Sequence, residues 1–235
     1  MQDPQFVQEA FSQISSRYVV TNHVLSLGTD ILWRRKVARI VRQFAPRKIL
    51  DLATGSGDLA MELARVCPGV HIVGADFCAP MLEEARKRNV PGLELLVADA
   101  MNLPFAAGAF DVVTVAFGLR NMASWPKAVA EMARVLTPAG HLVVLDFSLP
   151  TLPGLRGGYR FYLHRVLPKI AGFITRQRQA YEYLSASIEQ FPSGEAMCAL
   201  LKENGFTAAR AVALNFGVAS IYVADKSSTV AACAV

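Results

Sequence analysis

Residues 49–60 read ILDLATGSGDLA: an apolar run, a glycine-rich turn, and then a stretch of helical pattern. Asp51 sits inside the apolar run and Asp58 just past the glycines. An apolar run of this length bounded by glycine reads as a buried strand. Gly55, Ser56 and Gly57 then open a helix. Glycine permits positive φ and close approach of a ligand, and a helix start offers unsatisfied N–H groups. The turn is therefore expected to cradle a ligand, and its identity is the functional question.

Working outward, strands and helices alternate. KILDLA, VHIVGAD, LELLVAD, AFDVVTVAF and GHLVVLDF are strand-like, the last over 140–147. DLAMELARVC, APMLEEARKRN and WPKAVAEMARVL carry helical spacing. Repeating βαβ units with nearly continuous apolar strands predict a parallel sheet covered on both faces. Near the C-terminus, TAARAVALNFGVASIYVADK predicts two strands joined at Asn215–Gly217, an antiparallel hairpin closing the sheet. Residues 1–45 have helical spacing and are expected to form a lid. Residues 148–192 are expected to form a helical insertion facing the acceptor and a membrane. SSTVAACAV at the end has no strong pattern. One domain over residues 1–235 accounts for the chain.

Composition narrows the classes. A 235-residue chain with 53% hydrophobic residues is long enough for one well-buried core. No stretch approaches the ~20 apolar residues of a membrane span. MQDPQFVQEAF lacks the basic and apolar regions of a signal peptide, so a cytoplasmic location is expected. Cys67, Cys78, Cys198 and Cys233 show no paired spacing, which argues against a disulfide framework or a zinc site. The net charge is only +5, so the placement of charge matters more than its sum.

Two ligand classes fit the turn. GSGDLA satisfies GxGxxG/A, and Asp76 ends the next strand roughly 20 residues on, as a dinucleotide site requires. S-adenosylmethionine also wants a carboxylate for its ribose there, but carries no phosphate. Three features favour the sulfonium donor. Asp51 can help hold a cationic amino-acid tail. Asp58 would repel a pyrophosphate. Asp99 and Ala100, at the end of the third strand, suit an adenine amino group. Against this stands the reading of these aspartates as helix caps and turn formers.

ILDLATGSGDLA, VGADFCAPML, ADAMNLPFAAGAFDVVTVAFGLRN and EMARVLTPAGHLVVLDFSLP together resemble the class I methyltransferase fold. FGLRN, RYVVTNHVLSLGTDILWRR, VLPKIAG and YEYLSASIEQFP resemble, more narrowly, the ubiquinone/menaquinone biosynthesis C-methyltransferases. The resemblance implies an S-adenosylmethionine-dependent α/β fold, mostly parallel with an antiparallel C-terminal hairpin and helices on both faces. It implies methylation of a ring carbon of a prenylated quinol, demethylmenaquinol first and a ubiquinone precursor as the alternative. By position it assigns the donor to Ser56, Asp76, Asp99 and Ala100. Ala116 stands where the family commonly has serine, leaving a backbone contact only. Val19 stands where the family tends to have a carboxylate after the tyrosine.

Carbon methylation needs an electron-rich ring held in line with the methyl, and positioning alone supplies ~7–11 kcal/mol of such a barrier. A cation beside the quinol oxygen would favour its phenolate-like state. Arg120, after the fourth strand, is the candidate, with Asn121 orienting it or holding the second oxygen; pairing of Arg120 with a loop carboxylate is the competing reading. His23 and Tyr18 are candidates for accepting the ring proton.

Between Ser148 and Tyr181 no residue is acidic, while Arg156, Arg160, Arg165, Lys169, Arg176 and Arg178 are basic. Interleaved with Tyr159, Phe161, Tyr162 and Leu163, they suit the surface of an anionic membrane. A peripheral position at the inner face of the cytoplasmic membrane follows; a core-packing helix is the competing reading. Aliphatic interleaving argues against nucleic acid. A small-molecule O- or N-methyltransferase and a non-catalytic binding protein stay open, as does a homodimer.

Overall fold

The computed structural model describes Ser26, residues 28–166 and residues 178–226. Tyr18 and His23 lie outside the described residues, as do most of the positions expected to form the lid. Seven strands form one sheet: β1 (Lys48–Leu52), β2 (His71–Asp76), β3 (Leu93–Val97), β4 (Phe110–Ala116), β5 (Leu136–Phe147), β6 (Phe206–Leu214) and β7 (Ala219–Lys226). Their order is β3-β2-β1-β4-β5-β7-β6. The pairs within the first five are parallel, and β7 is antiparallel to both β5 and β6. The C-terminal hairpin thus forms as expected, turning through Asn215–Gly217.

Helices α1 (Thr29–Gln43), α2 (Asp58–Val66), α3 (Ala79–Arg86), α4 (Trp125–Val135), α5 (Pro153–Phe161), α6 (Arg178–Gln190) and α7 (Glu195–Glu203) surround the sheet. Successive strand residues point to opposite faces, and both faces of β1 are buried. Leu50 and Leu52 pack with Val129 and Met132 of α4 and Leu201 of α7. Ile49 packs on the other side with Val37 and Val41 of α1 and Leu63 of α2. Asp51, two residues on from Ile49, shares the α1–α2 face.

Trp33, Val37, Ala38 and Val41 of α1 are buried against the sheet, so the described end of residues 1–45 packs as a wall of the core. One expectation needs correction. Strand β5 begins at Leu136 rather than Gly140, because Phe110 pairs with Leu136 before a register shift restores pairing at Val112 and His141. Pro138 and Gly140 are residue types common in turns, and Ala139 takes a positive φ of 62°.

Residues 148–192 include α5, a π-helical turn over Tyr162–Val166 and α6. No side chain of α5 is fully buried, and Tyr159 is half-buried. Arg160 does not stay merely solvated: its Nε donates to Glu189 of α6 at 2.7 Å. Among the described residues no helix is long and apolar enough to cross a membrane.

Candidate active site

Strand order reverses between β1 and β4, which run side by side while their crossovers go opposite ways. Ligands of open α/β sheets bind outside the carboxyl ends of such strands. The loop after β1 is the glycine turn, where Gly55 and Gly57 take φ of 56° and 80°. The loop after β4 is Phe117–Asn121. Gly118 sits so close to the turn that a Cβ there would lie 2.4 Å from the Cβ of Ala53. The close approach of these two loops shapes a groove that a larger residue would fill.

Carboxylates organise the groove. Thr54 Oγ1 donates to one oxygen of Asp51 at 2.6 Å, and Thr114 Oγ1 to the other at 2.7 Å. Thr114 is the β4 partner of Asp51 in the sheet register, so strand pairing itself delivers that bond. Burial raises the Asp51 pKa to about 6, against the lowering effects of both threonines and Arg34. Asp76 joins two loops, accepting from Gly55 N–H at 2.8 Å and Cys78 N–H at 2.9 Å. Burial pushes its pKa up as well, while these backbone bonds oppose the shift. Asp58 accepts from Ser56 Oγ at 2.8 Å and pairs with Arg88 at 2.9 Å.

The groove has two arms. A narrow one of about 70 Å³ is lined by Asp51, Gly55, Ser56, Asp58, Ala116 and Arg34, among others. A wider, apolar one of about 240 Å³ is lined by Leu52, Ala98, Asp99, Ala100, Met101 and Met122, among others. Ala53, Asp76, Phe77, Gly118 and Asn121 belong to both, so the arms meet at the Asp76 carboxylate. An apolar arm for a purine, a carboxylate at the bend for ribose hydroxyls, and an acidic arm for a cationic tail match S-adenosylmethionine. Asp58 at the first turn of α2 places negative charge where a pyrophosphate would sit, which disfavours a dinucleotide. All the donor residues expected from the sequence except Gly57 line one arm or both; Gly57 shapes the turn.

Arg120 is placed otherwise than expected. Its side chain is 3% exposed, and its Nη1 donates to Asp146 Oδ1 and to the Phe117 carbonyl, each at 2.7 Å. Neither arm of the groove is lined by it. The partner is a strand carboxylate at the end of β5, and the pair clamps the loop after β4 from beneath. Asn121 does face the groove. Its Nδ2 donates to the Phe117 carbonyl at 3.3 Å, and its Oδ1 accepts from Tyr183 on α6 at 3.2 Å.

The sequence reading missed Arg34, Thr114, Asp146 and Tyr183. Arg34 and Tyr183 fall inside stretches quoted for the family resemblance, without a role. Asp146 lies at the carboxyl end of its strand, one residue before the last, much as Asp76 does, and that position is the signal that could have found it.

With this geometry in hand, the relatives are informative. The chain is 48% identical over 92% of its length to the demethylmenaquinone methyltransferase of Thermus thermophilus, spanning 99% of that protein. It is 43% identical to the demethylmenaquinone methyltransferase of Deinococcus radiodurans over 94% of this chain and 93% of that one. It is 40% identical to the ubiquinone/menaquinone biosynthesis C-methyltransferase UbiE of Citrifermentans bemidjiense, over 94% of this chain and 96% of that one. Among solved structures, an S-adenosylmethionine-dependent methyltransferase from Thermotoga maritima, described as a possible histamine N-methyltransferase, superposes with a TM-score of 0.65. That alignment covers 92% of this chain and 98% of that one at 18% identity, a likeness of fold. The model of the ubiE/COQ5 methyltransferase family matches residues 1–226, and the chain belongs to that family.

Proposed function

We propose that the chain transfers the methyl group of S-adenosylmethionine to a ring carbon of a prenylated quinol, demethylmenaquinol before a ubiquinone precursor. The carrying observation is a second, apolar cavity behind the aromatic wall of the donor groove. Phe117 lines the narrow arm and packs on Phe147, ring centroids 4.8 Å apart, and on Trp33 at 6.3 Å. Trp33 and Phe147 in turn line a cavity of about 240 Å³ with Tyr159, Tyr162, Leu184 and Ile188. A small polar acceptor has no use for such a space; a quinol bearing a hydrocarbon tail does. The names of the full-length relatives support the same substrate class.

S-adenosylmethionine supplies an electrophilic methyl on a positively charged sulfur. The chain's part is positioning. Asn121, on the groove, is the group we assign to the acceptor's oxygen, held in orientation by Tyr183 and the Phe117 carbonyl. Arg120 acts as a positioning residue through its hold on the same carbonyl. Tyr159 and Tyr162 stack at 6.3 Å, and burial pushes both phenol pKa values up, so they stay protonated donors. Tyr18 and His23 remain our candidates for taking the ring proton. Residues 148–192 serve as the acceptor-facing insertion; α5, its π-helical turn and α6 line the apolar cavity.

A peripheral position on an anionic membrane completes the reading. Leu152, Leu155 and Phe161 are 63%, 41% and 64% exposed, beside Arg156 and Arg160. A prenylated acceptor would be drawn from that surface. The deciding experiment is transfer of labelled methyl to a short-chain demethylmenaquinol, with a benzoquinol precursor and a small catechol in parallel. Preference for the catechol would overturn the quinol assignment.

A further inference from the structure

Three acidic residues, Asp51, Asp58 and Asp76, line the narrow arm of the groove. Among the described residues that line it the sole cation is Arg34. Arg34 comes from α1, is 7% exposed, and has its guanidinium 5.3 Å from the centroid of the Phe117 ring. Its Nη1 pairs with Asp30 on the preceding turn, itself 1% exposed and bonded by Ser26 Oγ at 2.6 Å. A guanidinium is a planar fork of five N–H donors. Asp30 engages one nitrogen, Phe117 supports the flat face, and the fork lies at the wall of the arm.

A carboxylate entering this arm meets repulsion from three aspartates and, among the described lining residues, attraction from Arg34. The amino-acid end of the donor carries a carboxylate as well as an ammonium. We infer that Arg34 binds the carboxylate of the donor's amino-acid tail through a two-bond fork contact, while Asp51 faces the ammonium. This deepens the reading of the groove as an S-adenosylmethionine site and rests on it. The pairing orients the zwitterion: ammonium toward the sheet, carboxylate toward α1. Ion pairs of this planar kind hold direction as well as charge. A merely structural role, in which Arg34 only ties α1 to Phe117, would give no preference for a ligand with a carboxylate.

The test is a ratio of affinities measured by calorimetry, without turnover. S-adenosylhomocysteine and its decarboxylated analogue are titrated into the wild-type chain, into Arg34→Lys and into Arg34→Met. The carboxylate is expected to tighten wild-type binding by about 10- to 100-fold. In Arg34→Lys the ratio should fall to an intermediate value, since charge remains but the fork is lost. In Arg34→Met it should shrink to within about 3-fold, near the scatter expected of such contacts. Because Arg34→Met removes the positive charge beside the buried Asp30 carboxylate, Asp30→Asn combined with Arg34→Met gives a second folded test. A wild-type chain that binds both ligands equally overturns the inference, as does an unchanged ratio in the variants. A wild-type chain that binds neither overturns the donor reading with it.

Discussion

Arg120 and Asp146, 26 residues apart in the chain, form an ion pair 2.7 Å long with side chains only 3% and 0% exposed. Asp146 also accepts from the Arg120 backbone N–H at 3.3 Å and from the adjoining Phe147 N–H at 2.9 Å. Burial pushes the Asp146 pKa up, with Arg120 the main opposing influence. One carboxylate thus fixes the loop after β4, and that loop carries Asn121 into the groove.

Removing one member of a buried pair strands the other charge, at a cost of about 3–5 kcal/mol. Asp146→Asn and Arg120→Met are each expected to lower stability by that order in denaturant unfolding. Asp146→Leu with Arg120→Met should recover much of the loss, because no charge is left buried. Turnover should stay low in the double variant while S-adenosylhomocysteine affinity changes by less than about 3-fold. Full turnover in a stable double variant would show that the pair does not position the loop for catalysis.

Asp51 couples the donor site to pH. Its folded-state value of about 6 lies above the ordinary carboxylate range. A raised folded pKa means the folded state binds more protons, so the contribution is fully present below about pH 4 and is lost as pH rises through about 6. In the ligand-free protein, stability attributable to Asp51 should therefore fall between those limits. A cationic donor favours the ionised carboxylate, so donor affinity should rise across the same interval, with proton release. Both slopes should vanish in Asp51→Asn, read by calorimetry in buffers of differing ionisation enthalpy. Proton release that persists in the variant would assign it to another group, Asp76 foremost.

Gly118 is needed for space and not for its backbone, since its φ is −105°. In Gly118→Ala the new Cβ would meet that of Ala53 at 2.4 Å, and one loop must shift. Crowding of this kind costs about 1–3 kcal/mol in a packed site. Donor affinity should drop at least tenfold, and Ala53→Gly added to Gly118→Ala should restore most of it by removing the opposing atom. A failure of Ala53→Gly to rescue would mean that the two loops do not set the width of the groove.

Much of this was legible in the sequence because it is local. Strands buried on both faces print as apolar runs, and Asp76 closes such a run; Asp99 follows the apolar run of β3, which is only partly buried. The glycine turn announces itself by composition. What escaped is held across the sheet. Thr114 reaches Asp51 only through the β1–β4 register, 63 residues apart. Pairing of Arg120 is foreseen only with a loop carboxylate because its partner lies on β5, and no spacing rule links the two. The early start of β5 was hidden by Pro138 and Gly140, whose turn chemistry is real but is absorbed within a strand. Local pattern thus picked out residues that line the groove, whereas the apolar cavity depends on helices brought together from distant segments.

That acceptor side yields the sharpest test of the apolar cavity. Leu184 of α6 lines it and is only partly buried, so it can be changed without emptying the core. Filling the space with Leu184→Trp should raise the KM for a demethylmenaquinol bearing two isoprene units about tenfold, the equivalent of about 1.4 kcal/mol. The KM for an unprenylated naphthoquinol should stay unchanged, as should donor affinity, because neither reaches past the Phe117–Phe147 wall. In the wild type, each added isoprene unit should lower KM until the cavity is full, and the variant should show a shorter limit. Equal losses for prenylated and unprenylated acceptors would place the ring, rather than the tail, in this cavity.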